Sequence, residues 1–464
     1  MAAERHPPAV GRKATAMGLQ RELGLLSLSS IVVANMIGAG ALTLTGFLLA
    51  ELRDPLAMLA LWIAGGGVAL CGAVCYGRLG AALPMAGGEA VYLSRLVHPL
   101  AGFLSGWVSF LVGFSAPIAA SALASAEYAA RAFPSLAAGP AAAKIAAVCL
   151  IVLFTLAHCR GVGPGARVQN GLTLFKVAGI ALFVAAGFAF GRGSFTHLLP
   201  ASAPAFGRWR SLGLGLLWIM FAYSGWNASA YVGSEARSPR RNLPRSLLLG
   251  TAAVTLLYLA LNLLFVYAAP RAELAGHASP GGLAAARLFG ASPGRAVSAF
   301  LALALLSSLS AYVMLGPRIC FALARDGLFF RFAARVHPRT RVPSRSILFQ
   351  GAFAVVLVLA GSSDQLLTYL GFALGVFPLL AVMGMFRLSR EQRRGAAPAA
   401  AVFILASAGM LAMTLLERPR ESLVAVATML LGIPAYLWAF RRRRADGSAG
   451  GRAAAPGVGG ATSS

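Results

Sequence analysis

A helix crosses the roughly 30 Å hydrocarbon core of a bilayer with about 20 apolar residues. This chain offers twelve stretches of that kind, near residues 24–50, 56–77, 100–128, 141–159, 168–191, 211–234, 245–269, 296–324, 346–362, 365–386, 398–416 and 422–440. Lipid provides no partner for bare backbone groups, so segments that cross it are helices or closed barrels, and runs this long are helical. The composition agrees: 58% of the residues are hydrophobic and 12% charged, about half the charged share of a soluble domain. The expected fold is an all-α membrane protein with twelve transmembrane helices. An even number of crossings places both termini on one side.

A formal charge of +26, from 40 basic against 14 acidic residues, would point to nucleic acid in a soluble protein. Its distribution argues otherwise. With the N-terminus inside, most basic residues fall in cytoplasmic segments, densest in the loop 325–345 and in the run Arg441, Arg442, Arg443, Arg444, as the positive-inside rule requires. The expected partner is the lipid bilayer, with no nucleic acid. The Gly-, Ala- and Ser-rich tail 441–464 reads as disordered, and residues 1–22 as a cytoplasmic N-terminal tail. The first apolar run exceeds a signal-peptide core and is kept as a span. Cys71, Cys75, Cys149, Cys159 and Cys320 lack the paired spacing of a metal site. No histidine falls at mid-span and no catalytic constellation stands out, so neither a cofactor, a metal nor an enzymatic activity is expected.

Two spans carry small residues near their middles: Asn35-Met36-Ile37-Gly38-Ala39-Gly40-Ala41 in the first, and Phe221-Ala222-Tyr223-Ser224-Gly225-Trp226-Asn227 in the sixth. A lone Gly-Ala-Gly reads as close helix packing. The pair reads differently. Spans one and six correspond if the first ten helices form two repeats of five, and five is odd, so the second copy enters from the opposite face. The domains expected are a first inverted repeat at 23–191, a second at 211–386 and two appended helices at 398–440. Unwinding a helix in lipid frees N–H and C=O groups that a solute with both charges satisfies. Its carboxylate would meet the N–H groups near Gly38, Ala39 and Gly40, helped by the half-helix dipole. Its ammonium would meet carbonyls around Phe221, Ala222 and Ser224, beside Gly225, and around Ile37.

At these residues the sequence resembles the amino acid, polyamine and organocation transporter superfamily, and within it the bacterial amino acid permeases related to the L-type exchangers. Further motifs carry the resemblance: Pro84-Met85-Ala86-Gly87-Gly88-Glu89-Ala90-Val91-Tyr92 after span two, Glu235, Pro239, Arg241, Asn242, Pro244 and Arg245 after span six, and Ala324-Arg325-Asp326-Gly327 with His337, Pro338 and Pro343 after span eight. It implies a LeuT-like five-plus-five inverted repeat with discontinuous helices one and six, in a bacterial inner membrane. Three departures stand out. Ala41-Leu42 replaces the family's usual Ile-Phe, Arg78 replaces an acid common at the end of span two, and Ser234 precedes Glu235 where two glutamates are frequent. Relatives that pair with a glycoprotein heavy chain use a cysteine in the outside loop after span three. Residues 129–143 contain none, so no heavy chain is expected.

All but three of the 40 basic residues are arginine, the exceptions being Lys13, Lys144 and Lys176. Lys176 lies about ten residues into span five, roughly 15 Å deep. A central lysine costs about 2.5 to 3.5 kcal/mol to insert, and such residues mark ion pathways. Two compatible roles follow. Lys176 braces the unwound carbonyls of span one, or it gains and loses a proton as the site alternates between faces. The resemblance adds that many sodium-independent members carry a lysine near the place of a sodium ion in relatives. Ser307 and Ser308 in span eight are its candidate partners. Phe221 is the candidate gate over the substrate. The expected function is secondary active transport of amino acids by alternating access, coupled to protons or run as exchange. A membrane amino acid sensor with a transporter fold, or a permease for polyamines or other organic amines, are the alternatives.

Overall fold

The computed structural model describes residues 19–38, 40–133, 140–199, 209–277, 280–290, 294–360, 370–417 and 419–452. Their regular structure is helical, and β-pairing among them is confined to two isolated bridges, Leu23 with Ala236 and Ala86 with Val232. Eight helices are long and apolar enough to cross a membrane: Pro55–Ala82, Pro99–Ala132, Ala141–Cys159, Val162–Phe190, Pro239–Ala268, Arg295–Arg325, Ala397–Glu417 and Ser422–Ala439. Shorter apolar helices stand at Leu25–Met36, Arg210–Ala222, Ser344–Leu359 and Gly375–Arg387. Leu26, Leu174, Leu182, Leu256, Leu405 and Leu416 are each about 70% exposed. Large apolar side chains displayed so widely would drive association in water but cost nothing in lipid. The protein is an integral, multi-pass membrane protein.

The first apolar stretch is two helices, α1 (Leu25–Met36) and α2 (Gly40–Leu52). At 1.5 Å per residue the 12 residues of α1 reach about 18 Å, a little over half the hydrocarbon thickness. α3 (Pro55–Ala82) opens on an Asp54 cap whose carboxylate accepts from the Leu56 and Ala57 amides, and α4 (Glu89–Leu96) is a short helix in the connection that follows. α5 (Pro99–Val108) runs through a π-turn at Ser109–Phe114 into α6 (Ser115–Ala132), and α7 (Pro140–Cys159) follows. The Ser115 hydroxyl donates to Phe110 O at 2.6 Å across that turn.

Several boundaries differ from the sequence reading. α8 (Val162–Phe190) begins six residues before 168, because Pro164 sits in the first turn, where the missing N–H has no helical partner to lose. α10 (Pro239–Ala268) begins six residues before 245 for a related reason: Pro239 occupies the first helical position. The sixth apolar window is helical only as α9 (Trp209–Ala222), followed by turns and a 3-10 segment at Ala228–Tyr231. Beyond α10 come α11 (Arg271–Leu274), α12 (Pro280–Phe289), α13 (Gly294–Arg325), α14 (Ser344–Ala360), α15 (Leu370–Gly384), α16 (Ala397–Glu417) and α17 (Pro419–Arg452). α17 runs twelve residues past 440 into the stretch read as irregular, and 453–464 lie outside the described residues, as do 1–18. α10 packs along α3 and α1, and α13 packs along α6 and α8. Those helices surround the gap between α1 and α2.

Candidate functional site

A helix leaves its last four carbonyls without partners, and α1 does so inside the bilayer. Side chains from three other helices take them up. Lys176 of α8, 1% exposed, donates to Ile37 O at 2.7 Å, to Ala34 O at 3.4 Å and to Ser308 Oγ at 2.8 Å. Ser308 of α13 lies 3.1 Å from Ala34 O and 2.9 Å from Ile37 O. Tyr312, one turn on, donates to Asn35 O at 3.3 Å. Tyr258 of α10 donates to Met36 O at 2.6 Å and reaches Ala222 O at 3.2 Å, so one hydroxyl sits between the end of α1 and the end of α9.

The two interruptions touch. Gly225 has φ +96°, and a Cβ built on it would stand 2.8 Å from Asn35 Cβ and 2.9 Å from Asn35 C. Only a residue without a side chain fits there with the backbone turned that way. A Cβ on Gly38, by contrast, would meet nothing within 4 Å. The cleft beside Gly38 is lined by Ile37, Tyr128, Lys176, Ile180 and Phe300. Across the gap, the first-turn N–H groups of α2 have no intrahelical acceptors.

The sequence-derived residues fall as follows. Ile37, Gly38 and Gly40 stand at the first interruption, with Ala39 outside the described residues. Phe221, Ala222, Ser224 and Gly225 stand at the second, where Phe221 and Ser224 are half-buried and Phe221 O accepts from the Ser224 amide at 3.0 Å. Ser308 bonds to Lys176, whereas Ser307 lies 3.2 Å from Thr173, which also accepts from Gln169. Lys176 remains near the middle of its helix although α8 starts earlier than expected.

Several partners escaped the sequence reading. Tyr258 and Tyr312 gave no signal, since a tyrosine hydroxyl aimed at a carbonyl looks like any membrane tyrosine. Arg318 did give one, as a charge inside an apolar span. It is buried and pairs with Glu235 through Nε at 2.8 Å and Nη2 at 2.9 Å. The pair ties α13 to the segment after α9.

The arrangement sets two interrupted helices against each other beside a cleft, the type of geometry from which transporter sites are built. The description "Amino acid permease" belongs to a family whose profile matches residues 23–438. The chain belongs to this family. Among curated relatives of the permease, the Asc-type amino acid transporter 1 of Mus musculus is 27% identical over 431 residues, covering 90% of this chain and 81% of that protein. The serine/threonine exchanger SteT of Bacillus subtilis is 29% identical over 441 residues, covering 92% and 99%. The large neutral amino acids transporter small subunit 2 of Homo sapiens is 27% identical over 447 residues, covering 92% and 82%. These relatives are transporters, and the family is one of permeases rather than enzymes.

Removing the Tyr258 hydroxyl tests the bridge between the two half-helices. Tyr258→Phe leaves Met36 O and Ala222 O one donor short, at about 1 to 3 kcal/mol for a stranded buried carbonyl. Thermal unfolding of the purified permease should fall accordingly, and an unchanged midpoint would show that water replaces the hydroxyl.

Proposed function

We propose that this permease moves amino acids across the membrane by alternating access, with the substrate held between the two helix interruptions. The observation that carries the reading is the contact of Gly225 with Asn35 beside the open flank of Gly38. The substrate carboxylate binds the first-turn N–H groups of α2, from Gly40 on, at the positive end of that helix, the Gly38 amide being already spent on Met36 O at 2.9 Å. Ile37 O already takes two donors, Lys176 and Ser308, whereas Phe221 O and Ala222 O, bonded to the Ser224 amide and to Tyr258, each keep a lone pair to offer, so the ammonium falls to the carbonyls around Phe221, Ala222 and Ser224. Phe221 closes over the bound solute. The matching interruptions support twelve crossings arranged as two inverted repeats of five, at 23–191 and 211–386, plus two helices at 398–440. The charge distribution supports cytoplasmic termini, and the Bacillus subtilis relative supports a bacterial inner membrane.

Exchange is the favoured mode, since one relative is named an exchanger, and protons are the alternative coupling ion. Lys176 braces the first interruption by donating to Ala34 O and Ile37 O. An amine already donating beside the site disfavours polyamines, which bring more donors and no carboxylate. A sensor with the same site would bind without transporting.

Proteoliposomes loaded with unlabelled amino acids separate these readings. They should take up labelled serine, threonine or a larger neutral amino acid, and binding without uptake would favour the sensor. Lys176→Met should cut uptake by at least about tenfold, the loss that accompanies roughly 1.4 kcal/mol, while the protein elutes as a single species. Full uptake in that variant would remove the lysine from the mechanism and leave the substrate class standing.

A further inference from the structure

The chain between α3 and α4 is threaded tightly beneath the second interruption. Gly87 and Gly88 have φ of +109° and +51°, and a Cβ on them would stand 2.6 Å from Ala322 Cβ and 2.7 Å from the Tyr231 ring. The Gly87 amide donates to Tyr231 O at 3.0 Å, and Ala86 bridges Val232. This path carries Glu89, the first residue of α4, into the interior, where it is 4% exposed. Asn227 Nδ2 donates to Glu89 Oε1, and the hydroxyls of Tyr76 and Tyr231 face it. Asn227 ends the run 221–227, whose beginning forms the candidate substrate site. One carboxyl on a cytoplasmic loop thus grips the far end of the substrate-binding segment.

No basic side chain among the described residues offsets the burial. Arg318 on α13 spends its guanidinium on Glu235, and Arg95 at the other end of α4 faces Asp326 at 3.7 Å. Arg387, beyond α15, donates to Val97 O at 3.0 Å and to Leu96 O. Tyr92 on α4 itself adds another phenol. Burial pushes the Glu89 carboxyl up to about 7.

We propose that Glu89 is a proton-binding latch on the cytoplasmic face, protonated while the loop 84–88 covers the sixth segment and ionised once that cover lifts. The proton leaves the carboxyl oxygen for cytoplasmic water on opening and returns on closure. The sign follows from solvation. The buried pocket favours the neutral acid, whereas the same carboxyl in water titrates at its ordinary value of 4.5 and is ionised at neutral pH. Closure is therefore strongest in acid and weakens as pH rises from about 4.5 to about 7, above which the pocket holds a carboxylate that Asn227 and the phenols hydrogen-bond but that no cation balances. The link to transport rests on the alternating-access reading, whereas the proton site stands apart from it.

Two measurements on the full chain in nanodiscs test the latch, and neither needs substrate. Infrared difference titration should show a carboxylic acid band with a midpoint near 7 that vanishes in Glu89→Gln. Val232, wholly buried against Ala86, is replaced by cysteine and exposed to a membrane-impermeant maleimide from the cytoplasmic side. Taken relative to the same cysteine in a Glu89→Gln background, which cancels the pH dependence of the thiolate itself, labelling should climb by up to about tenfold per pH unit between about 4.5 and 7 and level off above 7. Equal pH dependence with and without Glu89→Gln, or a band that survives it, would overturn the proposal. Should Glu89→Gln fail to fold, Glu89→Asp must move the midpoint of the band, and an unmoved midpoint assigns it elsewhere. A protein that carries no amino acid would pass or fail these measurements all the same.

Discussion

Arg318→Ala is expected to destabilise the permease by about 3 to 5 kcal/mol, because it strands the Glu235 carboxylate in the interior without its cation. Both side chains are almost completely buried, and two of the guanidinium nitrogens are bonded to the two carboxylate oxygens. The third nitrogen donates to Met314 O on the same helix, so the fork has no freedom to adapt. Thermal unfolding in detergent reads the loss directly. Neutralising both partners, as Arg318→Met with Glu235→Gln, should recover most of the stability, since a buried ion pair is worth little against groups that need no counter-charge. Transport in the double variant should still change, because the pair joins α13 to the segment that follows the second interruption. A single variant as stable as the parent would mean that water reaches Glu235.

Gly225→Ala is expected to abolish substrate binding together with part of the fold's stability. The new Cβ would lie within 3.0 Å of Asn35 Cβ, C and O, and backbone does not yield as a flexible side chain would. Overpacking of this kind costs about 1 to 3 kcal/mol, and the left-handed backbone adds about 1 to 2 kcal/mol for any residue with a Cβ. Gly38→Ala is the matched control, since its Cβ enters open space. It should leave unfolding unchanged and weaken amino acid binding, because the space it fills is the space assigned to the solute. Titration calorimetry and thermal unfolding of both variants check the pair. Undiminished binding in a stable Gly38→Ala variant would place the solute somewhere other than beside Gly38.

Eight of the apolar windows coincide with described helices long and apolar enough to cross a membrane, because crossing lipid needs length and hydrophobicity, both of which a sequence displays. The glycines at 38, 40 and 225 marked the interruptions for a similar reason: residues lacking a Cβ, or nearly so, in the middle of a span are visible on inspection. Where the sixth helix stops was less legible. The window 211–234 is apolar throughout, and the change from α-helix to turn at Tyr223 depends on Tyr258 meeting Ala222 O and on Gly225 meeting Asn35. Those contacts span 36 and more residues of chain, beyond the reach of local pattern. Lys176 stood out because charge in lipid is rare. Tyr258, Tyr312 and the burial of Glu89 did not, because their significance lies in direction and depth, which composition does not encode.

The amine that holds the end of α1 is covalently part of the chain. A sodium ion in such a position would come from the bath, and its concentration difference across the bilayer would do work at every cycle. Lys176 has no bath to come from: its occupancy is always one, and a fixed occupancy transmits no gradient. In the exchange mode proposed above, and with the amine keeping its proton, the final accumulation ratio is set by the amino acids themselves, one running down its gradient and driving the other up.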